Sequence, residues 1–402
     1  MDDLLARLAH VAPDAFPYEA VLDEYRRVGK HFVHKDLLCA LDATRTRIFG
    51  RSTADASELK RFLNCALDKW DGHYDYATYI GLSLLPMPDV ESPSEALARR
   101  DRLVLLLVTD ALRFELDAAD GRTGLLPRFR PDERSVAKRC RLGVRAVGQD
   151  TWVVRPRGRE FVDDPMKVSR RLCEGLAARA TSAERRFLEL SMLPVYTVHD
   201  EYLFIRVLQA FEVTFAATCV LLRATINALL NGAGEIAAER LGSAEAVLRG
   251  SAPLFSFLAT MRVASFHTFR QFTEGASAIQ SDYYKMMEAL CRTPDPERLN
   301  SPAYRSVPEV RRLVGEGVAN VDEVFYAARA AGVLAPSAAS EVASAMDRFA
   351  TTLKLWRRTH YRLAVRMLGE RRGTGYTEGT PYLKQALDVP VFLDTRDRSR
   401  GR

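Results

Sequence analysis

Apolar residues recur at helical spacing along most of this chain, and the rhythm breaks in one region. Over 1–115 the i, i+3, i+4 pattern with few glycines predicts helices. The block LKRFLNCALDKWDGHYDYATYIGLSLL is punctuated by Asp71-Gly72-His73 and ends at Pro86-Met87-Pro88-Asp89. Over 121–165 the character changes. CRLGVRAVG and DTWVVRP alternate or carry β-branched residues among Gly, Pro and Arg, which predicts two to four short strands or a hairpin. Residues 166–193 are helical again. From 197 to 368 the pattern is almost wholly helical, with long segments at 199–230, 253–275, 277–291, 319–334 and 339–372. The reading is a mainly α protein. A helical bundle domain over 191–395 follows a helical N-terminal region, 1–190, that carries a few short strands. A basic tail, 396–402, closes the chain.

Composition narrows the class. The chain has 402 residues, of which 47% are hydrophobic and 27% charged. That suits a soluble globular protein with a large core. No apolar run approaches the roughly 18 residues of a membrane span, so no membrane role is expected. The opening MDDLLARLAH is not a secretory signal, and the expected location is cytoplasmic. The six cysteines are scattered, with neither CxxC nor CxxCH. This pattern favours buried free thiols over zinc or disulfides. The net charge of +6 could serve nucleic acid, but the excess is spread out and reads better as a solvated basic surface.

Candidate chemistry centres on one histidine. Leu353, Trp356, His360, Leu363 and Met367 share one helix face, so His360 points toward apolar surroundings. Such a histidine is either a satisfied core residue or an axial metal ligand, with Arg357, Arg358, Arg362 and Arg366 on the flanking sides. Phe204, Leu208, Phe211 and Phe215 form a second stripe. Phe266 and Phe269 precede Arg270, which is either a snorkelling surface residue or a clamp for a carboxylate. The glycines at 369, 373, 375 and 379 lack phosphate-loop spacing. They allow either close backbone approach to a ligand or a helix stop.

Three segments, in order, resemble the tryptophan 2,3-dioxygenase superfamily. The first is His199-Asp200-Glu201-Tyr202-Leu203-Phe204-Ile205, followed by Gln209, Phe211 and Glu212. The second is Phe266, Arg270, Ala276-Ser277-Ala278-Ile279-Gln280-Ser281, Tyr284-Lys285 and Glu288. The third is Trp356-Arg357, His360, Gly369, Gly373-Thr374-Gly375-Tyr376, Gly379 and Tyr382-Leu383. The resemblance covers about 197–395. It implies a helical haem-binding oxygenase domain in which His360 ligates the iron, with Trp356 and Arg357 beside the cofactor. Haem b is expected without a covalent tether, since the chain has no His-x3-Cys motif. Arg270 would clamp the substrate carboxylate, and Thr374 would help hold its ammonium and carboxylate. Phe204, Leu208, Phe266 and Tyr376 would line the aromatic pocket. The implied partners are an aromatic amino acid, O2 or H2O2 as oxidant, and further copies of the chain in a homo-oligomer.

The departures from the family pattern set the expected reaction. Leu208-Gln209 stands where the family has His-Gln, which removes a polar partner for an indole N–H. Ser277-Ala278-Ile279 replaces Ser-Gly-Phe, and Tyr376 replaces a glycine. Residues 1–190 have no identified counterpart. Hydroxylation or oxygen insertion on a tyrosine- or tryptophan-like substrate, in specialised metabolism, is therefore expected. The alternatives are ring cleavage of tryptophan and a non-catalytic haem- or ligand-binding protein.

Overall fold

Polar residues at the helix starts explain where the elements begin. The side chains of Ser57, Asp132, Asp164, Ser281 and Asn320 accept backbone N–H bonds from Lys60, Ser135, Lys167, Tyr284 and Glu323. Asp75 with Thr78, and Thr181 with Glu184, make reciprocal capping boxes. The computed structural model of the chain describes residues 1–50, 57–147, 164–273, 275–369 and 380–393.

The described helices of seven residues or more are α1 (Asp2–His10), α2 (Tyr18–Val28), α3 (Lys35–Phe49), α4 (Glu58–Ala66), α5 (Pro93–Ala119), α6 (Glu133–Ala146), α7 (Pro165–Ala177) and α8 (Ser182–Leu190). They continue with α9 (Asp200–Leu230), α10 (Gly234–Gly250), α11 (Ala252–Leu258), α12 (Val263–Arg270), α13 (Asp282–Cys291), α14 (Pro308–Gly315), α15 (Val321–Ala330) and α16 (Pro336–Leu368). The protein is mainly α, as its periodicity predicts.

The chain divides into two compact units, neither contiguous in sequence. The first comprises Met1–Pro86, Leu105–Gln209 and Phe257–Ala278. The second comprises Met87–Val104, Ala210–Ser256 and Ile279–Arg402. In the first unit, α1 to α4 enclose one apolar core that includes Leu8, Val21, Tyr25, Leu37, Leu41, Phe62 and Leu63. Gly29 lies at φ 86°, and a Cβ there would fall 2.6 Å from the Tyr196 Cα, so only glycine lets these two backbone segments meet. A second core joins Tyr76, Tyr79, Ile80, Phe114, Leu126, Tyr202 and Ile205. In the second unit α10 packs along α16, with Gly234 against Ala338.

Three expectations need correction. The strands expected over 121–165 are absent among the described residues. CRLGVRAVG lies mostly in α6, because Val136, Cys140, Gly143 and Val144 bury one helical face and Gly143 makes room for Leu112. The nearest approach to a strand is one parallel bridge, Arg128 to Val198. DTWVVRP lies outside the described residues. The segment 253–275 is two helices, α11 and α12. Finally, α9 is long and apolar enough to cross a membrane, with mean hydropathy 1.7 over 18 residues. However, 78% of that window is buried within the protein, so it serves as core.

Candidate active site

His360 is placed by packing, and its surroundings are aromatic. In the second unit, the α16 face bearing Leu353 and Met367 is buried, and Trp356 and His360 are half-buried between them. The His360 ring lies 5.3 Å from Trp356 and 6.3 Å from Phe255, centroid to centroid. Trp356 in turn meets Phe211, Phe215, Phe255 and Tyr284 at 5.1–5.6 Å. Burial, with a smaller push from the Lys285 charge, lowers the His360 pKa to about 4. The imidazole is therefore neutral at physiological pH.

Beside this nest lies a charged network. Glu288 accepts from Arg298 at 2.9 and 3.0 Å and from Tyr304 at 3.2 Å. Burial opposes its ionisation, but Lys285 and Arg298 pull its pKa down to about 2. Arg357 donates to Tyr284 Oη at 2.9 Å and to the Val389 carbonyl at 2.6 Å. Its Nη2 makes no hydrogen bond among the described residues and sits 3.5 Å from Glu288. Lys285 is 3% exposed, and burial lowers its pKa to about 7. Arg298 also donates to Tyr382 at 3.2 Å.

The donor set fits a haem. Among the described residues no three His, Cys, Asp or Glu side chains converge as a metal site. A bare cation would find one imidazole and too few further ligands. An iron already held by a macrocycle needs only one protein nitrogen. The neutral imidazole and its aromatic lining suit a flat apolar cofactor, and the buried Trp356 Nε1, without a hydrogen-bond partner among the described residues, is a donor for a polar edge of such a group.

The expected substrate residues Phe204, Leu208, Phe266 and Arg270 lie in the first unit and are all half-buried. Phe204 meets Phe266 at 5.8 Å, Phe269 at 5.2 Å and Tyr79 at 6.5 Å. Arg270 stands over the Phe266 ring at 6.0 Å. Leu208 packs against the core of Tyr76, Tyr79 and Ile80. The structure thus brings an aromatic wall and a guanidinium together on α9 and α12. Thr374 and Tyr376 lie outside the described residues.

The His199-Asp200-Glu201 run proves structural. Arg139 is buried between Glu115 and Asp200, and His199 Nε2 lies 3.2 Å from Glu115. Burial works against the Glu115 charge, but Arg139 and His199 hold its pKa below the ordinary value. Asp200 also accepts the Arg262 N–H at 2.9 Å. Glu201 accepts the N–H groups of Val195 and Tyr196. These acidic side chains lock the start of α9. Sequence reasoning missed Arg139 and Lys285 as buried cations. The signal available was a lone cation on an otherwise apolar helix face, at Arg139 between Val136 and Cys140–Val144 and at Lys285 ahead of Met286 and Met287.

Comparison with curated proteins finds relatives over about half the chain. The chain is 27% identical over 227 residues to a protein named tryptophan 2,3-dioxygenase from Anaeromyxobacter dehalogenans, covering 49% of this chain and 85% of the relative. A namesake from Anaeromyxobacter sp. strain K is 29% identical over 228 residues, with the same coverage. One from Burkholderia multivorans is 25% identical over 232 residues, covering 50% and 75%. No family model matches the chain.

Proposed function

The chain is a divergent member of the tryptophan 2,3-dioxygenase superfamily, and on that footing we propose that it is a haem-dependent oxygenase of aromatic amino acids. The observation that carries the reading is His360: a neutral imidazole in an aromatic nest, with no hydrogen bond from its ring nitrogens among the described residues. Haem b, bound without a covalent tether, supplies the redox chemistry that activates dioxygen. His360 offers the ligating lone pair, and burial keeps a proton off it until the pH falls to about 4. Trp356 and Arg357 flank the cofactor. The haem-binding domain is taken as 191–395.

The remaining roles belong to the substrate. Arg270 pairs with the α-carboxylate through a two-pronged, charge-assisted bond, and Thr374 assists at the ammonium end. Phe204 and Phe266 stack against the substrate ring, with Leu208 and Tyr376 completing the wall. Positioning by these groups lowers the entropic part of the barrier. Leu208 gives no hydrogen bond and moves no proton. That favours insertion of oxygen into a tyrosine- or tryptophan-like ring without opening it. Dioxygen is preferred to peroxide as oxidant, in keeping with the relatives' name; hydroxylation by dioxygen then takes two electrons and two protons from an external reductant such as ascorbate, the second oxygen atom leaving as water, whereas ring cleavage keeps both oxygen atoms and takes none. The same name favours the second reading, cleavage of tryptophan to N-formylkynurenine. A homo-oligomeric, cytoplasmic enzyme of specialised metabolism completes the proposal, on resemblance and composition alone.

The test is a visible spectrum of the purified protein loaded with haem, then incubation with L-tryptophan and L-tyrosine under O2 with ascorbate as reductant. A Soret band that shifts with one of these amino acids, and a hydroxylated product, support the reading. N-formylkynurenine as the main product selects ring cleavage. A protein that takes up no haem overturns both.

A further inference from the structure

The N-terminal region carries a basic cleft with no part in the oxygenase reading. In the first unit, Arg134, Ser135, Ala137, Lys138 and Arg141 of α6, with Pro165 at the start of α7, line a cleft of about 620 Å3. Arg134, Lys138 and Arg141 sit at i, i+4 and i+7, so one helix face presents all three. Arg145, four residues on, extends the row, and all four side chains are exposed.

None of the three lining cations makes a hydrogen bond or ion pair among the described residues. Some other surface arginines are matched, such as Arg27 with Glu24 and Arg312 with Glu309 and Glu316, while Arg305, Arg329 and Arg348 are, like the three lining cations, without a partner among the described residues. Of the nearby acids, Glu133 is exposed and pairs with none of the three lining cations among the described residues, and two others cap helices. Asp132, which feels the Arg134 charge, caps the Ser135 N–H at 2.8 Å. Asp164 caps the Lys167 N–H at 2.9 Å. Like charges one turn apart repel, and an anion seated among them would relieve that repulsion. The volume is that of a small-molecule site. Among the described residues the lining holds no aromatic side chain on which a nucleobase could stack.

We propose that this cleft binds a small multiply charged anion of the phosphate-ester or pyrophosphate class, held by Arg134, Lys138 and Arg141. Guanidinium forks and a lysine ammonium are the groups that suit phosphate oxygens.

Calorimetric titration of the full-length protein with inorganic pyrophosphate tests it, beside the triple variant R134Q/K138Q/R141Q and a control of equal charge change, R305Q/R329Q/R348Q. The substituted side chains are exposed, so both variants should keep the parent's helicity and melting temperature. The expected result is saturable one-to-one binding that weakens about tenfold or more in the triple variant, less in the control, and falls with added salt. Absent binding, or binding equal in parent and triple variant, overturns the proposal. So does a gel shift with a 20-nucleotide DNA that needs these residues while pyrophosphate does not bind. The oxygenase reading is untouched by any of these outcomes.

Discussion

Trp356 and His360 lie one turn apart on α16, with ring centroids 5.3 Å apart and planes tilted 35°. The indole stands between the imidazole and the rings of Phe211, Phe215 and Tyr284. That packing orients the imidazole, whose ring nitrogens make no hydrogen bond among the described residues. It follows that H360A should fold normally yet lose its Soret band when loaded with haem, and oxygenase activity with it. Circular dichroism and the visible spectrum check this together. An intact Soret band in a well-folded H360A would move the iron ligand elsewhere.

Arg139 is the second test, and it concerns stability. Its guanidinium neutralises both Glu115 and Asp200 in a buried site. Removing one partner from a buried ionic network strands the others, at a cost of about 3–5 kcal/mol. R139M should lower the urea midpoint accordingly, and R139M/E115Q/D200N should recover part of the loss. If R139M melts like the parent, this network does not hold α9 in place.

Much of this architecture was legible in the sequence. Helical periodicity found α9, α13, α15 and α16, and the stripe through Leu353, Trp356 and His360 found the nest. The region 121–165 misled, because Gly143 and the β-branched valines suggested strands. Their burial on one face of α6 depends on α5 and α7, which no local pattern reports. The motif His199-Asp200-Glu201 carried the resemblance without a role of its own, since only the fold shows which partners these groups meet. Arg139 and Lys285 were hidden for the same reason: a cation counts as surface until its buried partners are known.

Glu201 gives a pH prediction. Burial raises its pKa to about 8, against an ordinary value of 4.5. The folded state then holds a proton that the unfolded state releases between these values. This contribution is full below pH 4.5 and is lost as the pH rises toward 8. E201Q cannot titrate. The stability of the parent relative to E201Q should therefore fall steadily between pH 4.5 and 8, in denaturant titrations across that range. A difference that stays flat would mean that Glu201 is ionised throughout, held so by the Val195 and Tyr196 N–H groups.

Arg270 separates binding from chemistry. If its guanidinium grips the substrate carboxylate, R270K keeps the charge but loses the fork, and should raise KM with a smaller change in kcat. R270Q loses both, and kcat/KM should fall about a hundredfold or more. The product of decarboxylating the substrate, which offers no carboxylate, should bind the parent and R270Q alike. Equal KM values for parent and R270Q with the amino acid itself would remove Arg270 from the site.

Leu208 decides between the two oxygenation readings. It packs on the first-unit core beside Tyr79 and remains half-buried, so an imidazole there would keep some contact with water. L208H should accordingly cost no more than about 1–2 kcal/mol in stability. It also restores the polar partner that the superfamily pattern places before the glutamine. A positioned acid–base group contributes about 10²–10⁴-fold where proton movement limits the rate. With tryptophan, L208H should therefore shift products toward N-formylkynurenine, while the parent makes a hydroxylated amino acid. Chromatography of both reactions under the same O2 and ascorbate measures the ratio. Abundant N-formylkynurenine from the parent, unchanged in L208H, would show that ring opening proceeds without a histidine at this position and that the leucine sets some other preference.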